Sequence, residues 1–237
     1  MNKSPPEFSY SGVDNLEVML EAKQYNRFLT DQVLKNRIGK SAILDFGAGI
    51  GTFSTMVRDR GVQVDCLEVD AHQCEILQSK GFRVFSSSDA IADSSYDYIF
   101  SLNVFEHIED DIAAMKECAR ILRPSGVVYT YVPAFPILFG DMDRKVQHYR
   151  RYTRASLRAV SEEAGLKVTR TAYVDIAGFF ASLLYNATSK GSGDIHRKPI
   201  ELYDRFIFPV SRVIDYATNP FIGKNVFSVA HKTGVQR

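Results

Sequence analysis

One stretch limits the fold of this chain more than any other: Ile43-Leu44-Asp45-Phe46-Gly47-Ala48-Gly49-Ile50-Gly51-Thr52-Phe53-Ser54. An apolar, strand-like run ends in an acid, passes alternating glycines and opens into a helix-like segment that runs to Arg60. Glycine lets the backbone turn sharply and approach a ligand with no Cβ in the way. The helix N-terminus that follows offers N–H groups to polar or anionic ligand atoms. Nicotinamide and flavin domains use similar loops. A dinucleotide fingerprint, however, wants its third Gly or Ala one position after Gly51, where this chain has Thr52. No Gly-Lys-Ser/Thr follows either, which argues against a P-loop.

The next elements point to a nucleoside-type ligand. Val62 to Val69 reads as a second short strand with Glu68 near its end. That acid falls about twenty residues after the first glycine, where α/β nucleotide-binding folds place a carboxylate on ribose hydroxyls. A solvated acid at a strand end is the bland alternative. Ser88-Asp89-Ala90 closes a third strand around Arg83-Val84-Phe85, and Tyr96 to Asn103 makes a fourth that runs into Val104-Phe105-Glu106-His107-Ile108.

With these motifs in order the chain resembles the class I S-adenosylmethionine-dependent methyltransferases. The resemblance covers most of it, from about Tyr25 to the C-terminal strand. It is carried by D-F-G-A-G-I-G at 45–51, C-L-E-V-D at 66–70, Ser88-Asp89, D-Y-I-F-S-L-N-V-F-E-H-I at 97–108 and L-R-P-S-G-V-V-Y-T-Y-V-P at 122–133. The E-H-I and L-R-P-S-G elements are most similar to the small-molecule branch that includes ubiquinone and menaquinone biosynthesis methyltransferases. The resemblance implies a Rossmann-like α/β fold: a seven-stranded, mostly parallel sheet, helices on both faces and an antiparallel last strand. It implies S-adenosylmethionine as cofactor, with S-adenosylhomocysteine as product. Gly47, Ala48, Gly49 and Gly51 would line the methionine part, Glu68 beside Val69 the ribose, and Ser88, Asp89 and Ala90 the adenine. Asp45 would stabilise the loop and the ligand's ammonium, Asn103 would lie near the methyl, and Tyr25 would belong to a covering segment.

Composition agrees. A chain of 237 residues with 45% apolar content can bury one substantial core. A net charge of +1 gives no global field toward nucleic acid or membrane. Cys66, Cys74 and Cys118 lack metal-ligand or C-x-x-C spacing and read as packed thiols. No apolar run approaches the ~20 residues of a membrane span. The N-terminus lacks a signal-peptide core, so the cytoplasm is the expected compartment.

We read the chain as a single domain. Residues 1–40 form a helical lid whose first fourteen residues are loose, with an amphipathic helix from Asn15 to about Arg37. Residues 41–175 form the cofactor core, 176–224 a helical substrate-side insertion interrupted by a flexible loop at Ser189–Gly193, and 225–237 the last strand. Within the core, Glu109 to Leu122 and Thr153 to Ala164 read as helices, the second N-capped by Thr153 and stopped by Gly165. The insertion's Phe179, Phe180 and Tyr185 suggest a roof over an apolar acceptor pocket, or a peripheral contact with a membrane holding the acceptor.

Ligands of open α/β sheets bind at the C-terminal strand ends. His107, just after strand four, is therefore the first candidate for a base, and His148 is a second. The segment from Arg144 to Arg158 holds six Lys or Arg and no acid, interleaved with His148, Tyr149 and Tyr152. Tyr149, Arg150 and Arg151 are thus expected to recognise an anionic acceptor, with no acid nearby in sequence to neutralise them. Asp141 and Asp143 read as solvated loop acids, and a metal is not expected. Asn103-Val104-Phe105-Glu106 replaces the Asn/Asp-Pro-Pro-Tyr/Phe motif of nucleic-acid amino-methylating enzymes, so nucleic acid is disfavoured. The expectation is methyl transfer to an oxygen of a small or carrier-linked metabolite. The alternatives are an RNA-modifying methyltransferase and a non-catalytic cofactor-binding protein.

Overall fold

A computed structural model describes residues 21–37, 39–188 and 197–233. The expectations for residues 1–20 and for the Ser189–Gly193 loop lie outside the described residues. The chain runs α1 (Lys23–Asn36), β1 (Ile43–Phe46), α2 (Thr52–Arg58), β2 (Asp65–Leu67), α3 (Ala71–Ser79), β3 (Val84–Phe85), β4 (Tyr96–Leu102), α4 (Asp111–Ile121) and β5 (Leu122–Pro133). It continues through α5 (Asp141–Lys145), α6 (Arg154–Glu163), β6 (Leu166–Val174), α7 (Ile176–Thr188), α8 (Arg197–Leu202), α9 (Phe208–Thr218) and β7 (Asn225–Lys232).

The strands form one seven-stranded sheet in the order β3-β2-β1-β4-β5-β7-β6. All pairs are parallel except those of β7 with β5 and β6, so the sheet is mostly parallel with an antiparallel last strand, as expected. The direction of strand order reverses between β1 and β4, and such a switch point opens a crevice at the C-terminal strand ends. Both sheet faces are covered. Leu44, Phe46, Ile99, Met115, Ile121 and Leu157 pack in one cluster, and Leu29, Val33, Val57, Tyr98, Phe100 and Tyr129 in the other. β1 is accordingly buried along its whole length and β4 at every residue but Asp97, rather than on alternate residues.

Local signals place most boundaries. Asp110 caps α4 through the Ala113 amide, and Thr153 with Ser156 forms a reciprocal cap at the start of α6. One boundary differs: β5 begins at Leu122, the residue on which the expected helix from Glu109 ends, and Pro124 and Gly126 lie within the strand. The pairing shifts register between Tyr96 and Tyr98 opposite that stretch, and Ser125 takes a left-handed φ of 64°, the mark of an irregular strand start. The thiols of Cys66, Cys74 and Cys118 are buried and free.

The described parts of the insertion at residues 176–224 are largely helical and roof the core only in part. Phe179 packs edge-on against Phe135, whereas Phe180, Leu184, Phe206, Val210, Val213 and Tyr216 face solvent. Its polar residues do the anchoring. Asp204 accepts from the Gln24 and Tyr25 amides, capping α1 with a carboxylate from 180 residues away. Asp175, Ser211 and Asp215 join the start of α7 to α9: the Asp215 carboxylate accepts from the Asp175 and Ile176 amides, and Ser211 donates to Asp175.

Candidate functional site

The glycine loop sits at the C-terminal end of β1, at the switch point. Gly47 and Gly51 have φ of 79° and 80°, a region that costs side-chain residues energy. Space is also closed to them. A Cβ at Gly47 would lie 2.5 Å from both Val104 methyls, and one at Gly51 2.6 Å from a Leu77 methyl. At Gly49 the nearest atom would be Gln73 Oε1 at 3.3 Å, so crowding there is milder. The loop is held from β2. The Gly47 and Ala48 amides donate to the Leu67 carbonyl, and Gly49 N–H donates to Glu68 Oε2 at 2.8 Å.

Glu68 is the hub of this half. Its other oxygen accepts from the Val69 and Asp70 amides at 2.8 and 3.0 Å, so the buried carboxylate ties the glycine loop to the β2–α3 turn. A carboxylate has about four acceptor positions. The three amides leave room for a ligand hydroxyl to share. Asp45 accepts from Ser54 Oγ at 2.5 Å at the end of β1, and burial pushes its pKa up to about 7, only partly offset by that bond. Ser88, Asp89 and Ala90 form a single 3-10 turn just beyond β3, with Asp89 and Ala90 exposed. Tyr25, on α1, meets Tyr131 hydroxyl to hydroxyl at 3.3 Å, and burial raises its pKa far above the ordinary phenol value. Asn103, just past β4, has a φ of 56°, a left-handed conformation that Asn tolerates better than most. The Cβ-free loop, an α2 N-terminus without a side-chain cap and a partly satisfied Glu68 carboxylate together fit a nucleoside cofactor.

The second half follows β4. Phe105–His107 forms one turn, and a strap from Gly140 to Tyr152 lies over it. Tyr149 N–H donates to the Glu106 carbonyl, and the Tyr152 hydroxyl donates to the Asp111 carboxylate at 2.6 Å and meets the Phe105 carbonyl at 3.1 Å. This docking stacks the His107 and His148 rings edge to face, 4.5 Å between centroids. The two imidazoles proposed from separate motifs therefore meet in space.

Beneath them lies Asp143. Its buried carboxylate accepts from Gly140 N–H, from Arg151 Nε and Nη2 at 2.8 and 3.0 Å, and pairs with His148 Nδ1 at 2.7 Å. Burial alone would raise its pKa, but the bonds from His148 and Arg151 prevail and bring it to about 2. Two expectations are corrected here. Asp143 is a buried structural acid and not a solvated loop acid, whereas Asp141 is half-buried and pairs with Arg144. Nor are the strap's cations without acids: Arg151 is spent on Asp143, and Arg150 lies 2.8 Å from Asp111 and donates to the Glu109 carbonyl. Of the expected acceptor contacts, Tyr149 is the exposed one. Asp111 and Arg150 become neighbours only when the strap docks beside α4, whereas Asp143 lies eight residues from Arg151 and was set aside as a solvated acid.

Glu106 stands out. It is 1% exposed, and among the described residues no neighbouring group hydrogen-bonds either carboxylate oxygen. Burial pushes its pKa up to about 7, against the pull of His148 and Arg151. His107, which bonds to the Val146 backbone, is driven down to about 4 by burial and by the neighbouring His148, so its ring is neutral near pH 7. Lys224 is lowered too, by burial, despite the nearby Asp175. Sequence reading passed over Glu106 within its motif; its place between two histidine-bearing turns is what gives it weight.

Known proteins agree with this architecture. A family model described as a methyltransferase domain matches residues 21–171. An uncharacterized methyltransferase of Mycobacterium sp. (strain JLS) is 30% identical over 164 residues, covering 60% of this chain and 65% of that protein. The phosphoethanolamine N-methyltransferase 2 of Caenorhabditis elegans is 26% identical over 190 residues, 72% of this chain and 42% of that one. A ubiquinone biosynthesis O-methyltransferase of Xanthomonas oryzae pv. oryzae (strain PXO99A) is 28% identical over 97 residues, covering 37% and 41%. The chain thus spans less than two thirds of the curated relatives it matches. Among solved structures, an S-adenosylmethionine-dependent methyltransferase from Thermotoga maritima superposes with a TM-score of 0.64 at 15% identity, covering 94% of this chain and 97% of that one, a likeness of fold. No helix among the described residues is long and apolar enough to cross a membrane. With the family model covering well over half the chain, and with the sheet order and glycine loop just described, this protein belongs to the class I S-adenosylmethionine-dependent methyltransferases.

Proposed function

We propose that the chain transfers the S-adenosylmethionine methyl group to an oxygen of a small or carrier-linked metabolite bound against Glu106, His107 and His148. One observation carries this reading. The buried Glu106 carboxylate and His107 follow β4 directly, at the same sheet end as the glycine loop on the adjacent β1, and the strap after β5 brings His148 onto them. The cofactor's methionine part would lie along Gly47, Ala48, Gly49 and Gly51, toward Asp45, Asn103 and Tyr25. Its ribose would share Glu68 beside Val69, and its adenine would rest against Ser88, Asp89 and Ala90.

A sulfonium methyl is already activated, so alignment and exclusion of water contribute more than acid chemistry. An acceptor hydroxyl must still lose its proton near neutral pH. Neutral His107 offers a lone pair for this, and His148, oriented by Asp143, stands beside it. The names of the relatives include both N- and O-methyl transfer; the carboxylate–imidazole pocket is what favours oxygen. Tyr149 remains an acceptor contact. Arg150 and Arg151 are assigned instead to positioning the strap, since their charges already meet Asp111 and Asp143.

The test is formation of S-adenosylhomocysteine with a panel of phenolic, hydroxylated-acid and phosphorylated-amine acceptors. His107→Ala and His148→Ala should lower turnover at least tenfold while calorimetric affinity for S-adenosylmethionine stays within twofold. Methylation confined to nitrogen acceptors would sink the oxygen assignment. A cofactor-induced thermal shift with no turnover on any acceptor would instead support the binding-protein reading. Tight, salt-sensitive RNA binding would support an RNA substrate.

A further inference from the structure

The cluster after β4 has the composition of a metal centre. Glu106, His107 and His148 each offer one ligand atom, and these atoms lie within 4.8 Å of one another. The Glu106 carboxylate is buried and among the described residues no neighbouring group hydrogen-bonds it, an expensive state for a group that a cation would satisfy. His148 is held as a metal-bound histidine is held. Its Nδ1 is engaged by the Asp143 carboxylate at 2.7 Å, while its Nε2 faces Glu106 at 3.9 Å. A carboxylate on the outer ring nitrogen fixes the tautomer and raises the basicity of the inner one. Asp143 is itself anchored by both Arg151 bonds, so the outer shell is complete without solvent.

We propose that Glu106, His107 and His148 bind a divalent first-row transition ion, with Asp143 and Arg151 as the supporting shell. Two imidazoles and one carboxylate suit such ions, and hard alkaline-earth ions prefer an all-oxygen set. Three protein ligands leave the remaining positions open, as in catalytic rather than structural sites. Ligand atoms about 2.0–2.2 Å from one ion lie roughly 3–4 Å apart. The ion would therefore draw these side chains together by about 1 Å.

The inference rests on the acceptor binding over this cluster and changes how that acceptor is activated. A hydroxyl oxygen of the acceptor takes an open position on the ion, which lowers its pKa, and the proton leaves to solvent. That oxygen's electron pair forms the new O–CH₃ bond as the S–CH₃ bond breaks. The bonding pair stays on sulfur, leaving a neutral thioether. His107 and His148 then serve as ligands rather than as the proton's destination.

The experiment uses tag-free, chelator-treated full-length protein. Calorimetry with Zn²⁺, and the visible absorption of Co²⁺, should report one ion per chain. Zn²⁺ should also shift the imidazole resonances of His107 and His148 in the unsubstituted protein, which keeps the test independent of whether variants fold. Glu106→Gln and His148→Ala should weaken binding by more than a hundredfold with S-adenosylmethionine affinity retained. Asp143→Asn, which touches only the outer shell, should weaken it about 10–100-fold. Absence of stoichiometric ion binding, or binding that leaves both imidazoles and both ligand variants unaffected, would overturn the site. Methyl transfer separates the two readings. Ion binding at these residues with transfer indifferent to chelation would keep the site and refute its part in acceptor activation. Chelator-resistant O-methylation without ion binding would refute the site and leave the transferase standing.

Discussion

The two halves of the candidate site are neighbours on one sheet edge, yet they are held by different forces. The cofactor half is built by backbone: left-handed glycines, amides donating to Leu67 and Glu68, and a Cβ-free approach against Val104. The acceptor half is built by side chains: Asp143 with Arg151 and His148, Asp111 with Arg150 and Tyr152. Backbone constraints are local and tolerate few substitutions at a few positions. Side-chain constraints are long-range, and each fails when one partner is removed. The halves should therefore break separately, and in different observables.

The largest effect is expected in the acceptor half. Asp143→Ala leaves the buried Arg151 guanidinium without its anion, which costs about 3–5 kcal/mol. Urea unfolding should show this, with turnover lost and cofactor affinity falling much less. If cofactor affinity fell in step with turnover at denaturant concentrations where the variant is folded, the halves would not be separable.

Next in size is the backbone half. Gly47→Ala places a methyl against Val104 at a left-handed φ, and strain plus crowding together cost about 2–4 kcal/mol. Calorimetry should show cofactor binding weakened by at least tenfold. Gly49→Ala, where only the flexible Gln73 tip lies near, should cost the fold less. Equal losses at the two positions would mean that steric closure at Val104 is not what selects glycine.

Protonation gives a third contrast. The folded chain holds the Asp45 proton up to about pH 7, whereas the unfolded chain releases it near 3.8. Stability should therefore fall as pH rises through that window. Asp45→Asn, which cannot ionise, should flatten that part of the pH–stability profile. An unchanged slope in the variant would show that Asp45 is ionised in the folded chain. In the acceptor half Asp143 acts with the opposite sign. Its pKa of about 2 contributes stability that is present at neutral pH and lost as pH falls from about 4 toward 2.

The smallest effects come from the rims. Glu68→Gln keeps the shape of the hub but weakens the charge-assisted bonds, costing about 1–2 kcal/mol of cofactor affinity by calorimetry. Arg150→Ala removes a half-buried partner of Asp111, which still accepts from Tyr152, at about 1 kcal/mol. A large drop in acceptor affinity with that variant and no change in unfolding would restore Arg150 to the acceptor contacts.

These differences explain how much could be seen in the chain alone. Strand ends, the glycine loop, Glu68 and the Thr153 cap are written in contiguous residues, and each follows from local conformational rules. The register of β5, which starts at Leu122 despite Pro124, depends on pairing with β4 and was not legible. Nor was the exposure of Phe180, because which face of an insertion helix is covered depends on what the rest of the chain packs against it.

By itself, then, the amino-acid order determined a parallel α/β sheet with a glycine turn at its switch point, because turn geometry and hydrophobic runs act over a few residues. Only the tertiary structure decided that a basic-looking strap is electrically satisfied, that Asp143 is buried, and that His107 and His148 meet beside a Glu106 carboxylate that no other described group hydrogen-bonds. Those outcomes depend on docking residues 140–152 against 105–111, and burial and charge pairing are properties of that contact rather than of either segment.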